Sequence, residues 1–238
     1  MNYNRNFIQR ESRMERHNIN YKMAIWILLL RFIAGYLNVM VLLLFAQSVA
    51  GHTGNLTKVA ILFAHGDYDV MLNMASMSIS FLVGATVGGY FYPTDRFQPR
   101  LNYGNYLIIM GVILLLFNWF GYQSVYFLIY IAFSYGLQNG MFVFYKGLVI
   151  RTTILTGTVT DIGVELGRNL RGGTEDRWKL RFHIVNLLCF LIGAVSATAI
   201  HLYTNWNVLL IAAVIDIAIG LYYFTLKEDM IKDSLEEE

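Results

Sequence analysis

Two ionisable residues sit deep inside otherwise apolar stretches. Arg31 lies about nine residues into a run from Met23 to Ala50, and Asp216 lies near the middle of a run from Trp206 to Leu226. Groups at such depth are rare in membrane segments and face a bundle interior. Arg31 can extend its head toward the headgroups. Asp216 has no such escape and reads as a protonated acid, a partner for Arg31 or a proton-coupling carboxylate. Lys58 and Asp161 end two similar segments, Thr53-Gly-Asn-Leu-Thr-Lys58 and Thr156-Gly-Thr-Val-Thr-Asp161. If those segments meet, the two charges pair or divide substrate and ion binding between them; if not, they face opposite aqueous sides. Thr53, Gly54 and Asn55, like Thr156, Gly157 and Thr158, are residues suited to a helix start. Asn55 or Thr158 can cap, and glycine permits a bend. The N–H groups of such a start attract an anion or carboxylate. The segments read either as a substrate cradle or as the caps that any re-entrant turn requires. Asn38, Gln138 and Asn139 are amides in the middle of apolar runs, where each needs an interhelical partner; Asn38 and Asn139 join the candidate substrate-binding set. Thr158, Asp161, Glu165 and Arg168 recur at helical spacing, and the face they form is expected to be solvated.

The rest of the chain offers few other chemical groups. Of 238 residues, 56% are apolar, 15% aromatic and 14% charged, with two prolines and a mean hydropathy of +0.48. A soluble domain carries about a quarter charged residues, so the composition argues against a soluble enzyme, a disordered chain or a nucleic-acid binder. Cys189, the single cysteine, lies in an apolar run and supplies neither a disulfide nor a cysteine metal site. His52 lacks a clustered partner. There is no phosphate loop, no His-Glu-x-x-His and no Gly-x-Ser-x-Gly elbow. No catalytic residue, metal ligand or cofactor is therefore expected.

Six apolar runs are long enough to cross a bilayer: Met23 to Ala50, Val70 to Tyr92, Asn105 to Gly121, Val125 to Tyr145, Phe182 to Leu202 and Trp206 to Leu226. Leu56 to Ala64 and Thr158 to Leu166 are shorter, reaching roughly 14 Å at helical rise, about half of the hydrocarbon core. The first run is too long for a signal peptide and has no clean cleavage site. Cytoplasmic loops keep an excess of Lys and Arg. Six crossings with the N-terminus inside place 16 of the 18 such residues in cytoplasmic segments. Eight crossings would export Arg96, Arg100, Lys146 and Arg151, so six crossings are expected, with both termini cytoplasmic. The basic N-terminal residues Arg5, Arg10, Arg13 and Arg16 suit anionic lipid better than nucleic acid.

The halves echo each other. Gly35-Tyr-Leu-Asn38 matches Gly136-Leu-Gln-Asn139, the two Thr-Gly segments match, and Phe81-Leu-Val-Gly84-Ala85 matches Phe190-Leu-Ile-Gly193-Ala194. Each unit contains three crossings and a short segment. Three is odd, so the second unit enters from the opposite side, as in inverted-repeat secondary transporters. Gly84-x-x-x-Gly88 and Gly193-x-x-x-Ala197 permit close helix contact within the monomer.

These motifs, with His52-Thr-Gly-Asn55 and Arg151-Thr-Thr-Ile-Leu-Thr-Gly-Thr-Val-Thr-Asp-Ile-Gly163, resemble the YoaK-like family of bacterial inner-membrane proteins, a domain of unknown function. The resemblance covers most of residues 24–225 and implies about six spans, with no established substrate. The expected architecture is an all-α polytopic membrane bundle of two inverted three-span repeats, each with an additional short re-entrant or half helix. Residues 1–22 form a basic cytoplasmic segment, 23–122 and 123–226 the repeats, and 227–238 an acidic cytoplasmic tail. The leading functional expectation is a small secondary transporter or facilitator in the bacterial cytoplasmic membrane, with the lipid bilayer and a small polar or anionic solute as partners. The alternative is a non-transporting scaffold or accessory subunit; an intramembrane enzyme ranks third. Oligomeric state is left open.

Overall fold

Long runs of Leu, Ile, Val and Phe with few breakers fold as helices because lipid leaves no other partner for the backbone. The computed structural model describes residues 2–92, 102–141, 143–146, 148–172 and 177–236, with side chains described over 21–92, 102–141, 145–146, 148–172 and 177–231. Arg96 and Arg100, the side chains of Arg5, Arg10, Arg13 and Arg16, and those of the tail beyond residue 231 lie outside these residues. The elements are α1 (Asn2–Phe45), α2 (His52–His65), α3 (Tyr68–Phe91), α4 (Tyr103–Phe120), α5 (Val125–Gly140), β1 (Val143–Tyr145), β2 (Leu148–Ile150), α6 (Leu155–Leu170), α7 (Arg177–Tyr203) and α8 (Val208–Glu236). Five helices are long and apolar enough to cross a membrane: Tyr21–Phe45 within α1, then α3, α4, α7 and Val208–Ile231 within α8.

The sixth expected span is shorter than its apolar run. α5 stops at Gly140, and the run continues as an antiparallel hairpin pairing Val143 with Ile150 and Tyr145 with Leu148. Asn139 turns the chain: its side chain accepts from Thr153 N at 3.4 Å and donates to Thr153 Oγ1. Sixteen residues rise about 24 Å, so α5 falls just short of the usual span length. The short helices are longer than the sequence suggests, with 14 residues in α2 and 16 in α6.

Contacts near the helix ends fix the directions of the chain. At one end Lys22 pairs with Asp229, Lys227 bonds Asn102, and Tyr145 stacks on Phe182 at 5.0 Å. At the other, Asn207 bonds Asn118 at 2.5 Å, and Phe45 stacks on Phe127 at 6.0 Å. Thus α1, α4 and α7 run one way through the bundle, and α3, α5 and α8 run back. α2 joins α1 to α3 at one end, and α6 joins the hairpin to α7 at the other, so neither short helix traverses.

Glycines set the tightest contacts. A Cβ at Gly35 would lie 2.0 Å from Phe190 O, and one at Gly193 would lie 2.0 Å from Phe32 O, which locks α1 to α7. A Cβ at Gly84 would lie 2.0 Å from Phe133 O, and one at Gly136 would lie 1.9 Å from Phe81 O, which locks α3 to α5. The two pairs use matching residues in exchanged roles. Between α4 and α8, Gly104 and Gly220 face each other's carbonyls and Gly111 faces Ala213 O. Away from these seams, Ile79, Leu82, Ile109, Leu191, Ile192 and Val214 are exposed. This apolar exterior is suited to lipid rather than water.

Candidate functional site

Each short helix begins inside the bundle. After α1, the chain folds back so that Asn38 Oδ1 accepts from Ser48 Oγ at 3.0 Å and Ala50 N at 3.2 Å, and Asn55 donates to Ser48 O at 2.8 Å. His52 then meets Ser78 Oγ at 3.5 Å and packs over Phe81, ten or more residues along α3 from Tyr68. In the second half, Asn139 holds Thr153 as Asn38 holds Ala50. Gln138 donates to Thr152 Oγ1 at 2.6 Å.

The start of α6 carries a feature that α2 lacks. Arg31, 3% exposed, projects from α1 into the turn before α6. Its Nη1 donates to Thr152 O at 3.1 Å and Ile154 O at 2.8 Å, its Nη2 to Thr158 Oγ1 at 2.6 Å, and its Nε to Asn186 Oδ1 at 3.3 Å. Every one of these acceptors is neutral. A guanidinium has five N–H donors, so one Nη2 hydrogen remains beyond these four bonds. The cation sits at the N-terminal end of a helix, where the peptide dipoles already favour negative charge. The first-turn N–H groups of α6, Gly157 among them, have no carbonyl one turn earlier in the helix.

A cavity of about 380 Å³ opens against this cluster, lined by Arg31, Arg151, Gly157, Asp161, His183 and Asn186 among others. Asp161 is within electrostatic reach of both Arg31 and His183. The cavity thus brings the buried Arg31 guanidinium, the start of α6 and the Asp161 carboxylate to one space.

Several expectations change. Arg31 and Asp216 do not pair: Arg31 is bound at α6, and neither oxygen of Asp216, 1% exposed, has a hydrogen-bond partner among the described residues. Lys58 and Asp161 are both exposed, and no ion pair joins them among the described residues, because α2 packs on α3 and α6 on α7 at opposite ends. Asn55 and Thr158 are not caps. The helices start earlier, with Gly51 and Ile154 at the N-cap and no side-chain cap bond at either, so both residues are buried in the first helical turn and bond elsewhere. Gly54 and Gly157 lie within continuous helices, and a Cβ at either would meet nothing. Thr53 and Thr156 are exposed, and their carbonyls accept from Thr57 and Thr160. The face expected to be solvated turns inward at Thr158 and Glu165; Glu165 is 7% exposed and is held by Arg168 at 3.0 Å. The apolar Val159, Val164, Leu166 and Leu170 of α6 are exposed, and so are its polar Thr160, Asp161 and Arg168. The outer side of α6 therefore mixes apolar residues suited to lipid with charged ones suited to water.

Sequence reasoning missed His183, Asn186 and Thr152. The first two are polar residues three apart at the start of an apolar run, a spacing that marks one helix face. Thr152 lies within the quoted Arg151-Thr-Thr motif. A family profile described as a protein of unknown function, DUF1275, matches residues 26–222. No curated protein and no solved structure matches the chain.

Proposed function

The chain belongs to the DUF1275 family of proteins of unknown function, and on that footing we propose that it is a secondary transporter or facilitator for a small anionic or carboxylate-bearing solute. The observation that carries the reading is buried Arg31, bonded only to neutral groups, on a cavity at the inner start of a half helix. Paired half helices whose N-termini point into the membrane are the usual anion-binding device of inverted-repeat transporters. An inverted repeat is supported by the exchanged glycine contacts, α1 with α7 and α3 with α5, and by the placement of α2 and α6 at opposite ends. We read the motifs further as YoaK-like. We assign the end bearing Lys22, Asn102 and Lys227 to the cytoplasm of a bacterial inner membrane, from the Lys and Arg distribution. α5 is counted as a short sixth crossing. No catalytic role is assigned to any residue.

One observation favours the scaffold alternative: four of Arg31's five donors are satisfied within the fold, as a purely structural arginine would require. Purified protein in proteoliposomes, challenged with a panel of small carboxylates, amino acids, phosphate and sulfate, separates the two readings. Transport predicts counterflow for one class, lost in Arg31→Gln with the fold retained. Absence of flux across the panel for folded wild type sinks the transport reading in favour of the scaffold.

A further inference from the structure

The polar groups of the Arg31 cavity are arranged in two levels. Arg31 donates from Nη2 to Thr158 Oγ1 of α6 at 2.6 Å and from Nε to Asn186 Oδ1 of α7 at 3.3 Å, and so ties the two helices together at one level. From there α6 runs on toward Leu170, and α7 runs back toward Arg177. Asp161, three residues after Thr158, and His183, three residues before Asn186, therefore stand one helical turn farther toward the same end, about 4.5 Å along each helix. All five residues line the cavity. A cationic level at Arg31 and the α6 start is thus followed, one turn away, by the Asp161 carboxylate and the His183 imidazole. Arg151 is also in the lining, but it is exposed and a weaker anchor than buried Arg31.

The second level has bonding capacity that the fold leaves unused. His183 is only 7% exposed, yet it makes no hydrogen bond among the described residues, and its ring nitrogens are not among the sealed polar atoms. A polar group so deeply placed normally has a partner. Asp161 likewise has no hydrogen bond or ion pair among the described residues. Packing does not call for these groups either. By the matching motifs, the counterparts of Arg31, His183 and Asn186 in the other half of the chain are Ala132, Met74 and Met77, all buried, and Lys58 stands where Asp161 does.

We propose that the cavity binds a small zwitterion of the amino-acid class, with its carboxylate at Arg31 and the α6 start and its ammonium at Asp161 and His183. The remaining Nη2 hydrogen of Arg31 and the first-turn N–H groups of α6 donate to the solute carboxylate. The Asp161 carboxylate and the unprotonated nitrogen of a neutral His183 accept from its ammonium. A simple anion would leave Asp161 as an unmatched like charge one turn away, whereas a zwitterion meets both levels. A space of about 380 Å³ is of the size of small-molecule sites. This rests on the reading of the cavity as a solute site and narrows the class of solute.

Calorimetric titration of purified protein in detergent tests the class without any flux. The panel holds amino acids and, beside each, its desamino acid and its amide: alanine with propionate and alaninamide, for example. At least one amino acid is expected to bind, with its desamino acid and its amide each weaker by roughly ten-fold or more. Asp161→Asn, at an exposed residue, is expected to keep the unfolding midpoint and to bring that amino acid down to the affinity of its desamino acid. His183→Gln is expected to weaken the amino acid and spare the desamino acid. Should a variant fail to fold, the desamino and amide comparisons on wild type decide alone. A desamino acid that binds as tightly as its amino acid, or an amino-acid affinity that folded Asp161→Asn leaves unmoved, overturns the zwitterion and leaves the anion reading standing. An amide that binds as tightly as its amino acid overturns both. Absence of binding across the panel overturns the zwitterion, and the flux assay with phosphate and sulfate then decides the anion reading by itself. Conversely, amino-acid binding without counterflow keeps the zwitterion site and removes transport alone.

Discussion

Arg31 and Asp216 show why an ionisable residue in an apolar run is informative and incomplete at once. Their rarity is visible in the sequence, but the partners of Arg31 lie more than a hundred residues away in the chain, and Asp216 has no hydrogen-bond partner among the described residues. Arg31→Ala strips four hydrogen bonds and leaves the buried Thr152 carbonyl without its Arg31 donor. Its expected cost is on the order of 2–4 kcal/mol, read as a lowered unfolding midpoint in detergent. Arg31→Lys should recover only a minor part, because a compact ammonium cannot span acceptors on the α6 turn and α7 as a planar fork does; recovery to the wild-type midpoint would show that charge alone matters. At Gly157, which lines the Arg31 cavity with nothing near its missing Cβ, alanine should leave the midpoint unchanged and weaken solute flux. An unchanged flux would remove Gly157 from the site.

The helix contacts were partly legible in the sequence. The small-residue patterns at Gly84 and Gly193 announced close approach, and the match of Gly35 with Gly136 announced a repeat, but which helix each would meet depended on the packing of all eight. Alanine at Gly35, Gly84, Gly136 or Gly193 must displace a facing carbonyl about 2 Å away. Each should destabilise by about 1–3 kcal/mol or more. Gly54→Ala, inside a helix with open space around it, should instead be neutral or stabilise by up to roughly 1 kcal/mol. Unfolding of the five variants side by side checks both. Equal cost at Gly54 and Gly84 would contradict the close-approach account. The helix boundaries were less legible. Capping chemistry at Asn55 and Thr158 suggested later starts, yet the side chains of Asn38 and Asn139 hold the preceding turns and let α2 and α6 begin earlier.

At the scale of the whole molecule, α2 and α6 return the chain to the end from which each started, and those ends are opposite. With Cys189 replaced by Ala, a cysteine at Gly66 should react with an impermeant thiol reagent from one side of an oriented membrane and a cysteine at Gly172 from the other. A cysteine at Lys227 should react from the same side as the one at Gly172. Labelling of Gly66 and Gly172 positions from one side would refute the six-passage arrangement. Gly66 ends α2 facing open space, so a thiol there is accessible, at a backbone cost of about 1–2 kcal/mol for a side chain at φ +81. The sequence by itself determined that the chain is helical, with long apolar helices suited to a membrane. This follows from a local quantity, apolar run length against bilayer thickness. The tertiary structure decided that α5 yields to a hairpin, that Arg31 binds the α6 start while Asp216 has no hydrogen-bond partner among the described residues, and that Thr158 and Glu165 of α6 turn inward. Those outcomes depend on which distant groups share a buried space. In lipid, polar groups seek one another across the bundle, so their partners are set by packing and not by neighbours in the chain.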